Sequence, residues 1–478
     1  MNVALIGHAS ILVRTRGITL LSDPWWRGPC FGAQWWNYPS ASLETLAGQA
    51  IDYIYISHGH HDHFHPGTLN TLSKSAKVIV AAKTGLGPSV RGLGFETIEV
   101  GDDQVLELAG GLVKCRVMET YGDDTLMCID DGSEVCVNLN DALHSAPRSV
   151  QQRFVGRLKA LYPKIDYVFC GYGVASHFPN CYAIPGKDNE GTAARRQNYF
   201  NFQWARLIAE LAPRFGFPFA ADVAFLEDDL FWVNEAVHNC ERPTVTFDKN
   251  YRSSAVSVLD IAPGFEIENG VVKAPVFRQR LHASELRKHC AEQIARANRV
   301  PAANDQSVND LVRLLEKSVA DRREYLASFQ GSYRILIRFR GTERGVLLEK
   351  SADAIRVVPT DGDFTQDCDL VYTTRLTYVR WALTQPYGDE ILFVGSGGIF
   401  RYASEQQAKR NIHRELITVL RASQQAPVRR PETRLGAWKA VKQMLKRVLG
   451  RKEVDLYDLG EWTVRTTFAA RRARSSSA

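Results

Sequence analysis

The stretch Ser57-His58-Gly59-His60-His61-Asp62-His63-Phe64-His65 directly follows an apolar run, Tyr53-Ile54-Tyr55-Ile56. Four aromatic and β-branched residues that end in a polar loop read as a strand. Side chains at a strand's end and in the loop beyond it can converge on one point. Two imidazoles at i and i+2, then a carboxylate at i+4 and an imidazole at i+5, can form two adjacent ligand clusters. Borderline metals such as zinc or iron take such nitrogen and oxygen donors. A solvated surface cluster is the plain alternative, but five histidines in eight residues at a strand end argue against it.

Similar short runs surround this one. Val3–Ile6, Ile11–Val13, Ile18–Leu21, Lys77–Ala81, Thr97–Val100, Leu112–Val117, Thr125–Ile129 and Glu134–Val137 are mostly bounded by Gly, Asp or Asn, as strands are. Helical patterns interrupt them at Pro66–Leu72, Pro147–Leu161 and Ala193–Leu211. Strands with interspersed helices imply an α/β layered fold. From Leu281 to Phe329 the pattern is helical, and a β-rich segment begins at Tyr333, with a further strand expected at Ile391–Val394 and a closing helix at Glu405–Leu420. The expected division is 1–270, a helical connector over 271–330, a small α+β domain over 331–425 and a basic tail over 426–478.

The spacing His58-x-His60-x-Asp62-His63 is the HxHxDH signature of the metallo-β-lactamase fold, and the chain resembles that superfamily. Gly7-His8-Ala9-Ser10 and Leu21-Ser22-Asp23-Pro24-Trp25 resemble the entry of the branch that holds the ascorbate-phosphate lactonases. The same branch holds the N-acylethanolamine-releasing phospholipases and the CMP-N-acetylneuraminate hydroxylases. Asp23-Pro24-Trp25-Trp26, Trp35-Trp36, Asn138-x-Asn140-Asp141, Phe178-Pro179-x-Cys181-Tyr182 and Phe217-Pro218-Phe219-Ala220 resemble the catalytic part of the hydroxylase group. The resemblance implies a four-layer αββα fold over 1–270, with one or two divalent metal ions, zinc or iron/manganese, at His58, His60, Asp62, His63 and Asp141. It implies that Asp141 bridges, with Asn140 supplying the turn conformation that glycine usually provides.

Two family histidines are missing. The third belongs between about residues 100 and 135 by that resemblance, where only Glu119, Asp123 and Asp124 are near. The last belongs after Phe217–Ala220, where Asp222 stands and is expected as a ligand. Carboxylates in those places make the ligand set harder and shift preference from zinc toward iron or manganese. His8 stands in the family's Gly-His-Ser/Thr position near the metals, His177 precedes a segment at Phe178-Pro179 that resembles a substrate-pocket loop, and with Asp62 they are the expected catalytic residues. Lys187, Arg195 and Arg196 can meet an anionic substrate group, since these cations bind phosphate and carboxylate by charge-assisted hydrogen bonds. The hydroxylases' Rieske motifs, Cys-x-His and Cys-x-x-His, have no match in these 478 residues.

Composition bounds what remains. The chain is 45% hydrophobic and 23% charged, which excludes wholesale disorder. Nine scattered cysteines form no CxxC, and Met1-Asn2-Val3-Ala4 enters apparent strand directly, so reduced thiols in a cytoplasm are expected. From Lys409 onward there are 17 Lys/Arg and 6 Asp/Glu, so a basic tail follows a mildly acidic body. Trp438, Val441, Leu445 and Val448 share one helical face of that tail, which suits an anionic membrane surface or an acidic protein partner. The glycine loops at Gly85 and Gly395 lack the dinucleotide and P-loop patterns and read as turns. No nucleic-acid partner is expected. The expected function is hydrolysis of an anionic sugar-, nucleotide- or phosphate-linked small molecule by a metal-bound hydroxide. An iron-dependent oxygenase fed by a separate electron donor and a non-catalytic binding scaffold stay open beside it.

Overall fold

The computed structural model describes residues 1–422 apart from 174–175, 300–303, 328, 330, 352–353, 363–364, 386–387 and 411. The basic tail and its amphipathic pattern therefore lie outside the described residues. The chain divides into two compact units. One comprises Met1–Ala175 and Arg196–Ala297; the other comprises Ser176–Arg195 and the chain from Asn298 onward. The expected connector over 271–330 is thus shared between them, with the division at Ala297.

Period-2 alternation builds the first unit. In the strand Tyr53–Ile56, Tyr55 joins a core that lies between two sheets, while Ile54 and Ile56 pack outward with Leu69, Leu86 and Val90. On the facing sheet Val117, Met127, Ile129, Phe169 and Phe217 point into the same core. Their neighbours Met118, Leu126, Cys128, Val168 and Cys170 point outward onto Phe154, Leu158, Trp204, Leu207 and Ile208 of the helices Arg148–Leu161 and Asn189–Leu211. The layers therefore run helix, sheet, sheet, helix. This is the four-layer α/β arrangement of the metallo-β-lactamase fold. The sheets have eight and seven strands.

Topology decides where chemistry can sit. Thr19–Ser22, Tyr53–Ile56, Lys77–Ala81 and Glu96–Val100 pair in parallel, as do Val135–Asn140, Tyr167–Gly171 and Phe215–Phe219. Ligand-bearing loops of α/β sheets gather at the carboxyl ends of such strands. Four non-glycine residues at or just beyond strand ends here are left-handed: His8 at φ 43°, Asp23 at 38°, Asn140 at 37° and Ala220 at 53°. That conformation costs side chains with a Cβ and is kept where surroundings enforce it. Asn140 takes the turn conformation the sequence assigned to it.

The second unit holds a six-stranded sheet. In it Tyr333–Phe339 pairs with Arg344–Lys350 and, in parallel, with Leu370–Thr374. The expected strand over Ile391–Val394 is instead the short helix Glu390–Phe393, whose residues Ile391, Leu392 and Phe393 are all buried. A continuous apolar run of four carries no period, so helix and strand look alike in it. The next strand is Gly398–Tyr402, and the expected closing helix is two, Glu405–Lys409 and His413–Val419. All nine cysteines are free thiols. Among the described residues no helix is long and apolar enough to cross a membrane.

His413 links this unit's stability to pH. Its Nδ1 pairs with Tyr402 Oη at 2.7 Å, and burial, followed by repulsion from His177 and Arg414, pushes its pKa down to about 3. A folded value below the unfolded one means stability that is complete above pH ~6.5 and lost as pH falls from there toward the folded value. The urea midpoint of the second unit is expected to drop between pH 7 and pH 4. In His413→Asn, which keeps a polar atom near Tyr402, that drop should shrink; an unchanged pH slope would remove His413 as its source.

Candidate metal centre

The centre is built around a carboxylate that sequence reading did not single out as a working group. Asp23, wholly buried, sits beyond Thr19–Ser22 with its own N–H donated to the Tyr55 carbonyl. Its Oδ1 accepts from the Ser57 backbone N–H at 2.8 Å, and its Oδ2 accepts from Ser57 Oγ at 2.7 Å and His63 Nδ1 at 2.9 Å. Ser57 Oγ in turn accepts from His58 Nδ1 at 2.9 Å. Both imidazoles thus spend their Nδ1 protons on this network. Their Nε2 atoms are left with lone pairs facing the site.

Those lone pairs meet more acceptors. His63 Nε2 lies 3.5 Å from Asp62 Oδ2 and 3.5 Å from Asp141 Oδ2. His58 Nε2 lies 2.8 Å from His60 Nδ1 and 3.6 Å from Asp124 Oδ1. His8 Nε2 lies 3.0 Å from Asp62 Oδ2, while its Nδ1 is directed at the Asp222 carbonyl at 3.4 Å. Two sets of donor atoms lie within 4.8 Å of one another: His8, Asp62 and His63, and His58, His63 and Asp141. Buried atoms without hydrogen-bond partners include His63 Nε2, Asp62 Oδ1 and Asp141 Oδ1. Such orphans are costly unless a cation or proton satisfies them. Imidazole nitrogens and carboxylate oxygens converging in this way fit one or two divalent ions.

Electrostatics follow the same layout. Burial lowers the pKa of His58, reinforced by His63 and His60. Burial opposes charge on His63 too, but Asp62 and Asp23 outweigh it and hold its pKa high. For Asp141 burial acts upward and the neighbouring His63 prevails, lowering it. Asp124 is pushed up to about 7, by burial first and then by Asp141.

Second-layer contacts join the two sheets at the site. Thr125 Oγ1 donates to the Ser57 carbonyl at 2.6 Å and pairs with Tyr55 Oη at 2.6 Å. The Thr125 carbonyl accepts from Asn140 Nδ2 at 2.6 Å, and Asn140 Oδ1 accepts the Asp141 N–H at 2.6 Å. The loop that carries His58 is thereby tied to the loop that carries Asp141. His144 is buried beside Asp141, and its Nε2 donates to the Gly173 carbonyl at 2.7 Å. Asp23, Thr125 and His144 act through partners far away in sequence. Only the Asp23-Pro24-Trp25 motif gave any signal for them.

Other expected site residues have different partners. Asp222 is not turned to the metal cluster. Its carboxylate accepts from Arg278 Nε at 3.0 Å and from Arg242 at 3.2 and 3.3 Å, and lies 3.2 Å from His238 Nδ1. Burial would raise its pKa, yet the two guanidiniums hold it well below the usual carboxylate range. It is an ion-pair residue. His177 belongs to the second unit, where its Nδ1 donates to the Phe393 carbonyl at 3.1 Å and its ring stacks on Tyr182. Lys187 pairs with Glu405 at 3.2 Å, and Arg195 with Asp188 at 3.6 Å. Burial lowers Arg196 to about 10.

Comparison with known proteins agrees with this architecture. Residues 2–124 match the family model described as the beta-lactamase superfamily domain. A putative Rieske 2Fe-2S iron–sulfur protein of Mycobacterium tuberculosis is 26% identical over 249 residues, 49% of this chain and 46% of that one. The chain thus spans about half the length of that curated relative. The cytidine monophosphate-N-acetylneuraminic acid hydroxylase of Asterias rubens is 36% identical over 77 residues, 16% of this chain and 12% of the hydroxylase. A UPF0173 metal-dependent hydrolase of Anaeromyxobacter dehalogenans is 32% identical over 112 residues, 23% of this chain and 36% of the relative.

Two substitutions should separate the two buried carboxylates. Asp23→Asn is expected to weaken divalent-ion binding by about 10–100-fold, the usual effect of losing an outer partner of a ligating histidine. Asp222→Ala should leave ion binding unchanged but lower folding stability by about 3 kcal/mol, because it strands the buried Arg278 guanidinium and removes one of the two carboxylates that hold Arg242. Titration with zinc or manganese and urea unfolding of both variants would check this; loss of ions in Asp222→Ala would overturn the ion-pair assignment.

Proposed function

We propose that this chain, with its beta-lactamase superfamily domain over residues 2–124, is a metal-dependent hydrolase of small anionic molecules. The observation that carries the proposal is the convergence of acceptor atoms whose protons are already committed elsewhere. His58, His60, His63, Asp62 and Asp141 would hold one or two divalent ions. Such an ion supplies Lewis acidity and an activated water. The protein's own part is positional. Asp23 and Ser57 keep both imidazoles in one tautomer, and Thr125 and Asn140 set the distance to Asp141. Asp62 Oδ2, 3.0 Å from His8 Nε2, forms a carboxylate–imidazole pair that can take a proton from an attacking water and pass it on. Hydrolysis of a carbonyl or phosphoryl centre is the reaction class this supports.

A second reading is favoured by the similarity to a hydroxylase and to a Rieske protein. Nitrogen and oxygen donors also suit iron, and an oxygenase of this fold would take its electrons from a partner. Metal analysis of protein purified without added metal distinguishes the readings, since a reducible iron spectrum favours oxygen chemistry and a redox-silent ion favours hydrolysis. The basic tail over 426–478 is proposed as a peripheral contact to an anionic membrane or an acidic protein. Truncation after Gln425 should leave turnover intact and reduce low-salt binding to phosphatidylserine liposomes.

For the hydrolase reading, a chelator should abolish turnover of ester or phosphodiester model substrates, and zinc, manganese or ferrous ion should restore it. His60→Ala and Asp62→Ala should both fall to the background rate with unchanged circular dichroism and reduced metal content. Full metal occupancy in both variants would sink the assignment.

A further inference from the structure

Four carboxylates stand where the sequence leaves histidines missing, and the structure separates them. Asp222 is committed to Arg242 and Arg278. Asp123 is exposed. Glu119 closes the strand Val113–Glu119, where its backbone N–H donates to Asp102 Oδ1 at 2.9 Å. Asp124 lies against the HxHxDH loop: its Oδ1 is 3.6 Å from His58 Nε2, and its side chain is only 20% exposed.

We propose that Asp124 is a metal ligand, the third donor beside His58 and His60. The inference rests on the metal centre proposed above and extends its ligand set. His58 Nε2 presents a lone pair because Nδ1 donates to Ser57 Oγ, and that lone pair faces His60 Nδ1 and Asp124 Oδ1 together. His58 Nε2 thus has a second imidazole nitrogen at 2.8 Å and a carboxylate oxygen at 3.6 Å, both donor types that a divalent ion takes. The backbone around Asp124 is fixed for that task. Its carbonyl accepts from the Thr120 N–H at 3.1 Å and from Thr120 Oγ1 at 2.8 Å, which closes the loop over 120–124. Lys83 Nζ pins the same loop through the Thr120 carbonyl at 3.3 Å and the Gly122 carbonyl at 3.0 Å. The next residue, Thr125, is wholly buried and bonded to the Ser57 carbonyl, so Asp124 is held against the start of the histidine loop. A surface aspartate needs no such anchoring.

A carboxylate in place of an imidazole adds one negative charge and a harder donor. The ion bound there is then a weaker Lewis acid, and manganese or ferrous ion gains on zinc. Replacing the carboxylate by imidazole should reverse that preference.

The test is ion binding by the metal-stripped full chain, measured by mass-spectrometric stoichiometry and competitive titration with zinc and with manganese. Circular dichroism reports the fold. Wild type is expected to bind both ions. Asp124→Asn, nearly isosteric, should lose one equivalent or bind it at least about 10-fold more weakly. Asp124→His should regain binding and shift the zinc-to-manganese preference about 10-fold or more toward zinc. Wild-type stoichiometry and affinity in folded Asp124→Asn, or an unshifted preference in Asp124→His, would overturn the assignment of Asp124 while leaving the metal centre standing. A wild-type chain that binds neither ion would overturn the metal centre itself, and Asp124 with it.

Discussion

Everything at the site depends on where two protons go. Asp23 is a buried carboxylate satisfied by one N–H, one hydroxyl and one imidazole. Those bonds consume the Nδ1 proton of His63 directly and that of His58 through Ser57. A buried carboxylate without such donors would cost several kcal/mol, so folding and ligand orientation are the same event here. Breaking the Asp23–Ser57 pair frees both rings to flip or change tautomer, and the converging lone pairs would disperse.

The same economy explains the strained turns. His8, Asp23, Asn140 and Ala220 are all left-handed, and all lie at strand ends that reach the site or its rim. Turning the chain sharply there brings side chains from several strands to one place without long loops. Asn140 shows how this is made tolerable. Its side chain donates to the Thr125 carbonyl and accepts from the Asp141 N–H, so the strained residue is also the tie between the two sheets.

What the sequence made legible was local. HxHxDH could be read because its ligands lie within six residues at a strand end, and Asp141 because Asn at a turn has a physical reason to be there. The strands came through wherever apolar residues alternated or ended on Gly, Asp or Asn. Long-range pairing was not legible. Asp222 was expected to be a ligand because it follows the right strand, but Arg242 lies 20 residues on and Arg278 56, and nothing in the spacing announces that they return to it. Thr125 and His144 carry no signature, since a threonine in a strand and a histidine in a turn are ordinary. Ile391–Val394 failed for a different reason: a continuous apolar quartet has no period from which to choose helix or strand.

The two acidic clusters on the first unit show why only one of them is proposed as a metal site. Asp222 and Asp260 are answered by guanidiniums: Arg242 bonds both, at 2.8 and 2.9 Å to Asp260, and Arg278 completes Asp222. Charge there sums to about zero within the protein, and no ion is called for. Asp62, Asp141 and Asp124 are answered mainly by imidazoles, and the Asp23 network has already fixed which imidazole nitrogens carry protons. His58, whose pKa burial lowers, holds its lone pair inward and cannot neutralise a carboxylate. It can only join it in facing a cation. Placement of guanidinium in one cluster and of proton-committed imidazole in the other is thus the physical difference between an ion-pair brace and a metal centre. That difference is invisible in the count of aspartates, and it follows from which strand ends the fold brings together.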